Sequence, residues 1–457
     1  MDFCYIATHG FAIRMLIQTN LLGKLVEKGY DVGLITTDKN DSQLKEYAKL
    51  SGIHLLELPE GAKHQEYLYS RKYFLEDIDE NIALKEKHVK SLKKRSRNPW
   101  RIVRPYIYYS FYRLNKVFPL IRKLFLSVER NIILKDSATT SFLRGLNVGT
   151  LVATYPVTII EGKLLNSAQK LNIKSVIHLL SWDNITCKGR FPSLADKYIA
   201  WGDVMAQELK EYYNVSDRNI YKCGVPHFDI HAELRQAENK EDLITDLGLS
   251  NELPYIVFGM SSPYFAPKEI EIVEWLSEKI EKQYKNIQLI VRPHPQNMQG
   301  SMADKSWIGR LHKIDKNERT AVQFPRVLKS KIHWNMALSD MANLSKLIKN
   351  SILTMNSGST FSFDAMMHYK KVVITSFDGD NDLSYWDSAK RLIDFPHLKK
   401  FESLESVEIV HSFDELEEQI KNISVDTDAI KRDLGVYVED YEGNATERCV
   451  NILCNEI

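Results

Sequence analysis

The sequence predicts an α/β protein with two domains, each containing a doubly wound parallel sheet. Its 457 residues exceed the size at which a single hydrophobic core stops growing, so two domains are expected. Short apolar strands alternate with amphipathic helices from the N-terminus onward. A second alternation of this kind begins at Tyr255, after a polar and charged stretch at residues 233–251. We expect the strand ends of both domains to face a common cleft.

The first domain begins with a β-α-β unit. Phe3–Ala7 is an apolar strand, residues 12–28 carry apolar side chains at helical spacing, and residues 31–37 form the next strand. The turn after the first strand, Thr8-His9-Gly10, lacks the Gly-x-Gly-x-x-Gly fingerprint, which argues against a nicotinamide or flavin cofactor. Further strands are expected at residues 150–154, 174–180, 197–201 and 220–223.

The second domain repeats this pattern and is followed by a charged, mostly helical region from residue 401 onward. Strands are expected at residues 255–259, 287–291, 352–355 and 371–375, with a helix over residues 267–283. We divide the chain into a first domain at residues 1–235, a second at residues 236–430, and a C-terminal segment at residues 431–457. The helix of that last segment is expected to pack back toward the first domain.

Composition places the chain among ordinary globular proteins, with 44% hydrophobic and 26% charged residues. The formal net charge of +1 gives no general attraction to polyanions, and we expect no nucleic-acid partner. Five scattered cysteines without a CxxC pair predict neither a disulfide framework nor a thiolate zinc site. The N-terminus does not resemble a signal peptide, and no apolar run reaches about 18 residues. We therefore expect a cytoplasmic protein.

Residues 85–130 interrupt the first domain with a basic and aromatic helical insertion. This segment contains fourteen Lys and Arg residues, two Glu residues and eight aromatic residues. Cations beside aromatic rings suit an anionic membrane surface, where the rings lie among the headgroups and the cations meet phosphates. The same composition is compatible with RNA binding, or with a long core helix that has a solvated basic face. We expect peripheral attachment to the inner face of the cell membrane.

The turn at residues 356–360, Asn-Ser-Gly-Ser-Thr, lies between a strand and a helix that starts at Phe361. Such a turn aims backbone N–H groups and the positive end of the helix dipole at one point, which suits a phosphate. An ordinary capped helix has the same sequence pattern. Arg292 and His294 also leave a strand of the same sheet, and ligands of open α/β sheets bind beyond such strand ends. Arg292 offers a planar fork for phosphate oxygens, and His294 either donates to the nucleotide or caps neighbouring backbone.

This organisation resembles the GT-B glycosyltransferases, with two Rossmann-like domains facing a cleft. The turn at residues 356–360, followed by Asp364-Ala-Met-Met, is similar to the donor helix of that family, although many relatives have Glu at Asp364 and Pro at Lys371. Arg292-Pro-His-Pro resembles the His-Pro signature of bacterial sialyltransferases and other enzymes that use cytidine-linked donors. Teichoic-acid glycerophosphotransferases are similar in pairing such a His with a Ser-rich loop.

The resemblance implies residues that bind the donor and residues that carry out the transfer. An inverting transfer needs a base for the acceptor proton and electrostatic help for the departing phosphate. His9 and Asp183 follow strands of the first domain and are the candidate bases, although either could be structural. The predicted catalytic residues are His9, Asp183 and His294. The predicted donor-binding residues are Ser261, Ser262, Arg292, His294, Pro295, Ser357, Gly358, Ser359, Thr360, Asp364 and Asp382.

The acidic run Asp378-Gly-Asp-Asn-Asp382 does not match an EF-hand, because Leu383 occupies the sixth position, where the turn needs glycine, and Ala389 the twelfth, where the loop needs a glutamate ligand. We expect no metal and no cofactor. The sequence as a whole predicts a metal-independent, inverting GT-B glycosyltransferase that moves a sugar from a nucleotide-activated donor, preferably cytidine-linked, to a glycan or lipid-linked acceptor in surface-polysaccharide biosynthesis. The alternatives are a nucleotide-sugar isomerase of the same architecture and a non-catalytic protein that docks on membrane or RNA.

Overall fold

Two parallel sheets form the framework of the computed structural model, which describes residues 1–59, 64–237, 243–298, 303–332 and 334–457. The first sheet has the strand order β3-β2-β1-β4-β5-β6-β7. Its strands are β1 (Phe3–Ala7), β2 (Val32–Thr36), β3 (His54–Glu57), β4 (Thr150–Ala153), β5 (Lys174–His178), β6 (Lys197–Ala200) and β7 (Ile220–Lys222). The central strands β1, β2 and β4 are buried along their whole length, as expected for a sheet covered by helices on both faces.

The second sheet has the order β10-β9-β8-β11-β12-β13, and every neighbouring pair is parallel. Its strands are β8 (Tyr255–Gly259), β9 (Gln288–Arg292), β10 (Thr320–Val322), β11 (Leu353–Asn356), β12 (Val372–Thr375) and β13 (Val407–Val410). The strand order reverses at the central pair β1/β4 in the first sheet and β8/β11 in the second. Crevices for ligands form at such switch points. The predicted fold class is confirmed.

Helices cover both sheets. Those up to β7 are α1 (Gly10–Ile13), α2 (Leu21–Glu27), α3 (Ser42–Ser51), α4 (Gln65–Leu75), α5 (Ile82–Lys93), α6 (Pro99–Val117), α7 (Pro119–Val128), α8 (Ser137–Leu146), α9 (Ile159–Lys170) and α10 (Asp203–Tyr213). The later helices are α11 (Asp229–Gln236), α12 (Leu243–Asp246), α13 (Glu269–Lys282), α14 (Pro295–Met298), α15 (Lys305–Ile314), α16 (Ser339–Asn350), α17 (Phe361–Met366), α18 (Phe413–Lys421), α19 (Thr427–Tyr437) and α20 (Ala445–Asn455). π-Helical turns occur at Arg14–Gln18 and Glu129–Ile133, and 3₁₀ turns at Asp217–Asn219, Pro226–Phe228, Ala389–Leu392 and Lys399–Ser403.

Several local predictions differ from the structure. The single helix expected at residues 12–28 is broken, because Asn20 adopts a left-handed conformation (φ 55°) between the π-helical turn and α2. The region after residue 401 was expected to be mostly helical but contains the edge strand β13. The edge strands β3 and β10 were also missed, since they are three or four residues long. The division into domains at residue 235 stays a prediction, and residues 238–242 of the predicted boundary lie outside the described residues.

The C-terminal helix α20 packs against α2 and against the turn Pro226–Phe228. Asp229 holds the start of α20, because its two carboxylate oxygens accept the backbone N–H groups of Ala445 (3.0 Å) and Thr446 (2.8 Å). The segments at residues 224–229 and 440–448 are therefore joined by this capping interaction.

The insertion connects the two sheets. Glu86 on α5 forms a buried ion pair of 2.9 Å with Arg391, which follows β12. The same guanidinium donates to the backbone oxygen atoms of Phe265 and Tyr264, which follow β8. At the other side of the cleft, Asn335 Nδ2 donates to Asp41 Oδ2 at the start of α3 (2.8 Å). The cleft is thus spanned by polar contacts at both ends.

Gly10 tests how closely the two sides of the cleft approach. A Cβ atom at Gly10 would lie 2.1 Å from the backbone oxygen of Trp334, so Gly10→Ala must displace that segment. We expect the free energy of unfolding to fall by about 1–3 kcal/mol in urea titrations. Gly145→Ala is the matched control, because Gly145 lies in α8 with open space around it. This control should raise stability by up to about 1 kcal/mol. Equal effects of the two substitutions would contradict the close approach.

Candidate functional site

The predicted donor residues of the second domain converge at one edge of its sheet. The register aligns Arg292, Gly259 and Asn356 in a row across β9, β8 and β11. The segments that follow these strands carry Ser261, His294 and the turn at residues 356–360. Asn297 Nδ2 donates to the backbone oxygen of Ser261 (3.1 Å), which ties the segments after β8 and β9 together.

The turn at residues 356–360 has a different hydrogen-bond pattern from the one predicted. The Asn356 side-chain oxygen accepts the backbone N–H groups of Gly358 (2.8 Å) and Ser359 (3.0 Å). Gly358 has φ 85°, which glycine adopts without strain. The prediction that this turn presents several unpaired N–H groups is wrong, because the Asn356 carboxamide occupies two of them. Ser359 and Thr360 remain partly exposed, and Thr360 starts α17 without a side-chain cap.

Ser357 is buried and hydrogen-bonded below the turn. Its hydroxyl donates to Glu269 Oε1 (2.6 Å), and the other oxygen of Glu269 accepts the backbone N–H of Ser261 (2.7 Å). Burial raises the pKa of the Glu269 carboxyl to about 8, although both hydrogen bonds act in the opposite direction. Glu269 therefore joins the ends of β8 and β11 while holding a proton at neutral pH.

Arg292 does not offer a free fork to a phosphate. Its guanidinium forms a buried ion pair with Asp340 Oδ2 (2.5 Å) and donates to the side chain of Gln323. Asp340 lies on α16, 48 residues further along the chain. The ion pair positions Arg292 at the strand end, where a ligand phosphate would have to compete with Asp340 for it.

His294 presents a hydrogen-bond donor to the cleft. Its Nδ1 accepts the backbone N–H of Gln296 (3.1 Å), so the proton of the neutral ring lies on Nε2. Burial, together with the cations Arg14 and Arg292, lowers the pKa of His294 to about 4. The ring is therefore neutral at pH 7 with an Nε2–H donor. The backbone-capping alternative and the ligand-binding alternative are compatible, because they use different ring nitrogens.

His9 caps the first helix in the same manner. Its Nδ1 accepts the backbone N–H of Phe11 (3.3 Å), which again assigns the proton of the neutral ring to Nε2. Trp334 of the second domain contacts His9 edge-to-face at 4.9 Å and His294 at 6.1 Å between ring centroids. His9 and His294 thus both contact one indole. With this tautomer His9 is a donor rather than a proton acceptor.

Arg14 is a cleft residue that the sequence analysis missed. It lies at the start of the π-helical turn, and its guanidinium donates to Met341 Sδ of the second domain. Burial lowers the pKa of Arg14, while Asp364 and Asp340 raise it. A single arginine inside an otherwise apolar helical pattern was the available signal. Arg14 is the cation of the first domain that reaches toward the donor edge.

Asp183 follows β5 and is partly exposed in the first domain. Its Oδ2 forms an ion pair with Lys188 Nζ (2.9 Å). Burial raises the pKa of Asp183, but the Lys188 ammonium outweighs it and brings the value to about 2. Asp183 is therefore ionised at neutral pH. Trp182 was expected to offer a face to a sugar, yet it is buried against Phe363 and Phe401, with centroids 4.8 Å and 5.0 Å away.

Glu161 in the first domain has a role like that of Glu269. Its carboxylate accepts the Thr8 hydroxyl (2.8 Å) and the backbone N–H groups of Thr154 and Tyr155 (3.0 and 2.8 Å). Burial raises the pKa of Glu161 to about 7. It joins the ends of β1 and β4, the central pair of that sheet. Neither buried glutamate was singled out from the sequence, because each is an ordinary first-turn acid of a helix.

The remaining predicted residues have structural contacts or lie at the margin. Asp364 Oδ1 is 3.1 Å from His231 Nε2 on α11. Ser262 Oγ accepts the backbone N–H of Tyr264 (3.2 Å), and Pro295 is the first residue of α14. Asp382 is exposed in the turn after β12. Within the same acidic run, Asp378 is buried and accepts from Ser388 and Ala389, which assigns it to the loop structure.

A group of potential metal ligands lies in the buried core. Ligand atoms of His178, Cys223 and Cys449 lie within 4.8 Å of one another, and all three residues are buried. The set has ligand types that zinc accepts. This group was not predicted from the sequence, because the three residues are far apart along the chain. Among the described residues no helix is both long enough and apolar enough to span a bilayer.

The sequence matches no known family model and no curated protein. Solved structures match over the whole chain. A putative UDP-N-acetylglucosamine 2-epimerase from Listeria monocytogenes is 9% identical, with a TM-score of 0.57 over 100% of this chain and 96% of that one. A UDP-GlcNAc 2-epimerase from Neisseria meningitidis bound to UDP-GlcNAc is 10% identical, with a TM-score of 0.56 over 99% and 100%. A glycosyltransferase from Rickettsia africae is 9% identical, with a TM-score of 0.51 over 100% and 99%. The likeness shows that the chain has the GT-B fold.

Glu269→Gln tests the proton on the buried carboxyl. The raised pKa means that the folded state holds a proton that the unfolded state releases between about pH 4.5 and pH 8. Glu269 therefore stabilises the folded wild type at low pH. Its contribution to the free energy of unfolding falls by about 1.4 kcal/mol per pH unit as pH rises through this range. Glutamine does not titrate, so the stability of the variant relative to wild type should rise across this range. Glu161→Gln should show the same trend, ending near pH 7. Denaturant titrations at several pH values measure both, and a difference independent of pH would contradict the assignment.

Proposed function

We propose that this protein is a glycosyltransferase that moves a sugar from a nucleotide-activated donor to a surface-glycan acceptor. The donor would bind at the ends of β8, β9 and β11, where His294 presents its Nε2–H and Arg14 adds a positive charge. A neutral imidazole and a cation there would stabilise the charge that develops on the departing phosphate. The solved structures support a nucleotide sugar as the ligand, since one of them is described as bound to UDP-GlcNAc.

The observation that carries transfer rather than isomerisation is a large cavity whose lining does not include the residues of the donor edge. A space of about 1040 Å³ lies beside Lys188, the partner of Asp183, and is lined by residues of both domains. A transferase needs room for an acceptor in addition to the donor, whereas an isomerase needs one substrate. In this arrangement the ionised Asp183 accepts the hydrogen bond of the acceptor hydroxyl. Its low pKa makes it a weak base, so orientation of the hydroxyl is its main contribution.

The second candidate is a nucleotide-sugar isomerase, which the two epimerase structures favour. The nucleotide base also has two candidates. The Arg292-Pro-His-Pro segment favours cytidine by its resemblance to enzymes with cytidine-linked donors, whereas the epimerase structures are named for a uridine donor.

A panel of nucleotide sugars tests the proposal. A cytidine-linked donor at about a hundred times its dissociation constant should stabilise the protein by about 2.7 kcal/mol in thermal unfolding. With donor alone the sugar should keep its configuration, and transfer should require an added acceptor. Conversion of the donor to an epimer without acceptor would replace the transferase by the isomerase. No stabilisation by any nucleotide sugar would contradict both.

Asp183→Asn belongs to the same experiment. Donor binding should be unchanged, while turnover with acceptor should fall by about 10²- to 10⁴-fold because the neutral carboxamide lacks the charge that orients the acceptor hydroxyl. Asp203→Asn is the matched control, since Asp203 forms a similar Asp–Lys pair with Lys222 (2.8 Å) on the surface. This control should turn over at the wild-type rate. An unchanged rate for Asp183→Asn would remove it from the mechanism.

We further propose that α6 and α7 attach the enzyme to an anionic membrane surface. Large apolar side chains project from both helices at spacings of three or four residues, and Val117, Leu120 and Leu124 are 69%, 75% and 65% exposed. Basic side chains, among them Arg113 and Lys123, flank this apolar face. The alternative, a core helix with a solvated basic face, requires the apolar side chains to be buried. The apolar side chains of α6 and α7 are instead exposed. Apolar and basic surface together suit a helix that lies in the headgroup region.

Sedimentation with vesicles tests the attachment. Wild type should bind phosphatidylglycerol vesicles and be released by salt. Replacing Val117, Leu120 and Leu124 by Ser should weaken binding about tenfold or more, because apolar side chains leave the bilayer. Serine at Leu50, Val425 and Val436 is the matched control, since those apolar residues are exposed elsewhere. Equal binding of wild type to neutral vesicles, or binding to neither, would contradict the proposal.

A further inference from the structure

The large cavity beside Lys188 has an unusual charge. Nine Lys and Arg side chains line it, together with the two carboxylates Glu76 and Asp387. Its walls come from α4, from the insertion helices α5 and α6, and from the segments after β4 and β5. Tyr264 and Asp387 of the second domain complete them. So many cations in one enclosure repel each other, and the repulsion falls when an anion occupies the space.

Part of this charge has no carboxylate partner. Lys72, Lys94 and Arg101 form no ion pair with any residue in the described ranges, whereas Lys93 pairs with Asp387 (2.6 Å) and Arg104 with Glu66 (2.6 Å). Lys87 donates to the backbone oxygen of Cys187. The unpaired cations are therefore available to a ligand.

The surroundings of Lys72 disfavour its positive charge. Burial, together with the neighbouring charges of Lys87 and Arg104, lowers the pKa of Lys72 to about 8. Burial and the Lys188 ammonium lower the pKa of Lys87, while Asp183 and Glu76 act in the opposite direction. A multivalent anion would reverse these effects, because it supplies the opposite charge within reach of several ammonium groups.

The cavity lies beside the proposed reaction centre, and the ion pair of Lys188 with Asp183 links the two. Lys188 lines it, and Lys188 Nζ is 2.9 Å from Asp183 Oδ2. The Lys90 ammonium lies 3.7 Å from the centre of the Tyr264 ring and so joins the roof of the cavity to the second domain. A molecule held by the cations would therefore extend toward Asp183.

We propose that this cavity binds an acceptor carrying a diphosphate or a run of phosphate groups. Guanidinium groups form paired hydrogen bonds with phosphate oxygens and ammonium groups act as point charges, and this cavity supplies both. About 1040 Å³ accommodates a diphosphate with an attached sugar. The inference that the cavity binds an anion depends only on the cavity. The assignment of this anion as the acceptor rests on the proposed function.

Calorimetry with inorganic tripolyphosphate tests the binding. Wild type should bind it, and the affinity should fall as salt rises. The triple variant K72Q/K94Q/R101Q should bind at least about a hundredfold more weakly, because three charged contacts are lost. The variant K49Q/R144Q/K305Q removes the same charge from exposed positions outside the cavity lining and should change the affinity less than about threefold. The double variant K94Q/R101Q changes two exposed side chains and should lose at least about tenfold, which keeps the test valid if the triple variant unfolds.

Two further arms identify the ligand. Citrate, a multivalent anion with carboxylate instead of phosphate groups, should bind at least about tenfold more weakly than tripolyphosphate, and equal affinity would overturn a phosphate site. If the acceptor is lipid-linked, a polyprenyl diphosphate in neutral vesicles should recruit wild type but not K72Q/K94Q/R101Q. Recruitment of neither protein would assign a soluble phosphate-rich acceptor. Equal losses in the two triple variants, or no binding of tripolyphosphate to wild type, would overturn the proposal.

The nucleotide-sugar response is measured on the same variants. It should be retained in K72Q/K94Q/R101Q, because none of these residues lies at the donor edge. A protein that binds tripolyphosphate in the cavity but responds to no nucleotide sugar would contradict the proposed function and the acceptor assignment. Nucleotide-sugar binding without tripolyphosphate binding would contradict the cavity inference alone.

Discussion

The buried ion pair between Glu86 and Arg391 is the contact on which the arrangement of the cleft depends. Both side chains are almost fully buried, so the stability of the pair depends on its geometry and on further hydrogen bonds. Arg391 donates to the backbone oxygens of Tyr264 and Phe265, while its Nε has no partner among the described residues. Because α5 belongs to the insertion and Arg391 follows β12, the pair fixes the walls of the basic cavity relative to the donor edge. Removing one partner would leave an uncompensated buried charge.

The two sheets organise their ligand edges by the same means. In each, a protonated or nearly protonated glutamate on the first turn of a helix joins the ends of the two central strands: Glu161 for β1 and β4, Glu269 for β8 and β11. These carboxyls satisfy backbone N–H groups and hydroxyls that would otherwise be buried without partners. The loops at the switch points are thereby held in shape before any ligand binds, which is the preorganisation that electrostatic catalysis requires.

The sequence predicted the parts of this protein that depend on local pattern. Apolar strands such as β1 and β8, and their succession along the chain, were predicted from periodicity. The segments at Arg292 and Asn356 were expected at strand ends. Their contacts were not predictable, because they depend on distant residues. Asp340 reaches Arg292 over 48 positions, and Glu86 meets Arg391 over 305. No sequence pattern identified Trp334, because its contacts with His9 and His294 form only when the chain has folded.

The raised pKa values of Glu161 and Glu269 have a consequence for the charge of the whole molecule. The formal net charge of +1 counts every carboxylate as ionised. Near pH 7 the folded protein retains protons on these two groups, with pKa values of about 7 and 8, that the unfolded chain has already released. Each of these two carboxyls therefore takes up protons from the buffer when the chain folds at neutral pH. The two strand edges that face the cleft accordingly carry less negative charge than the composition states.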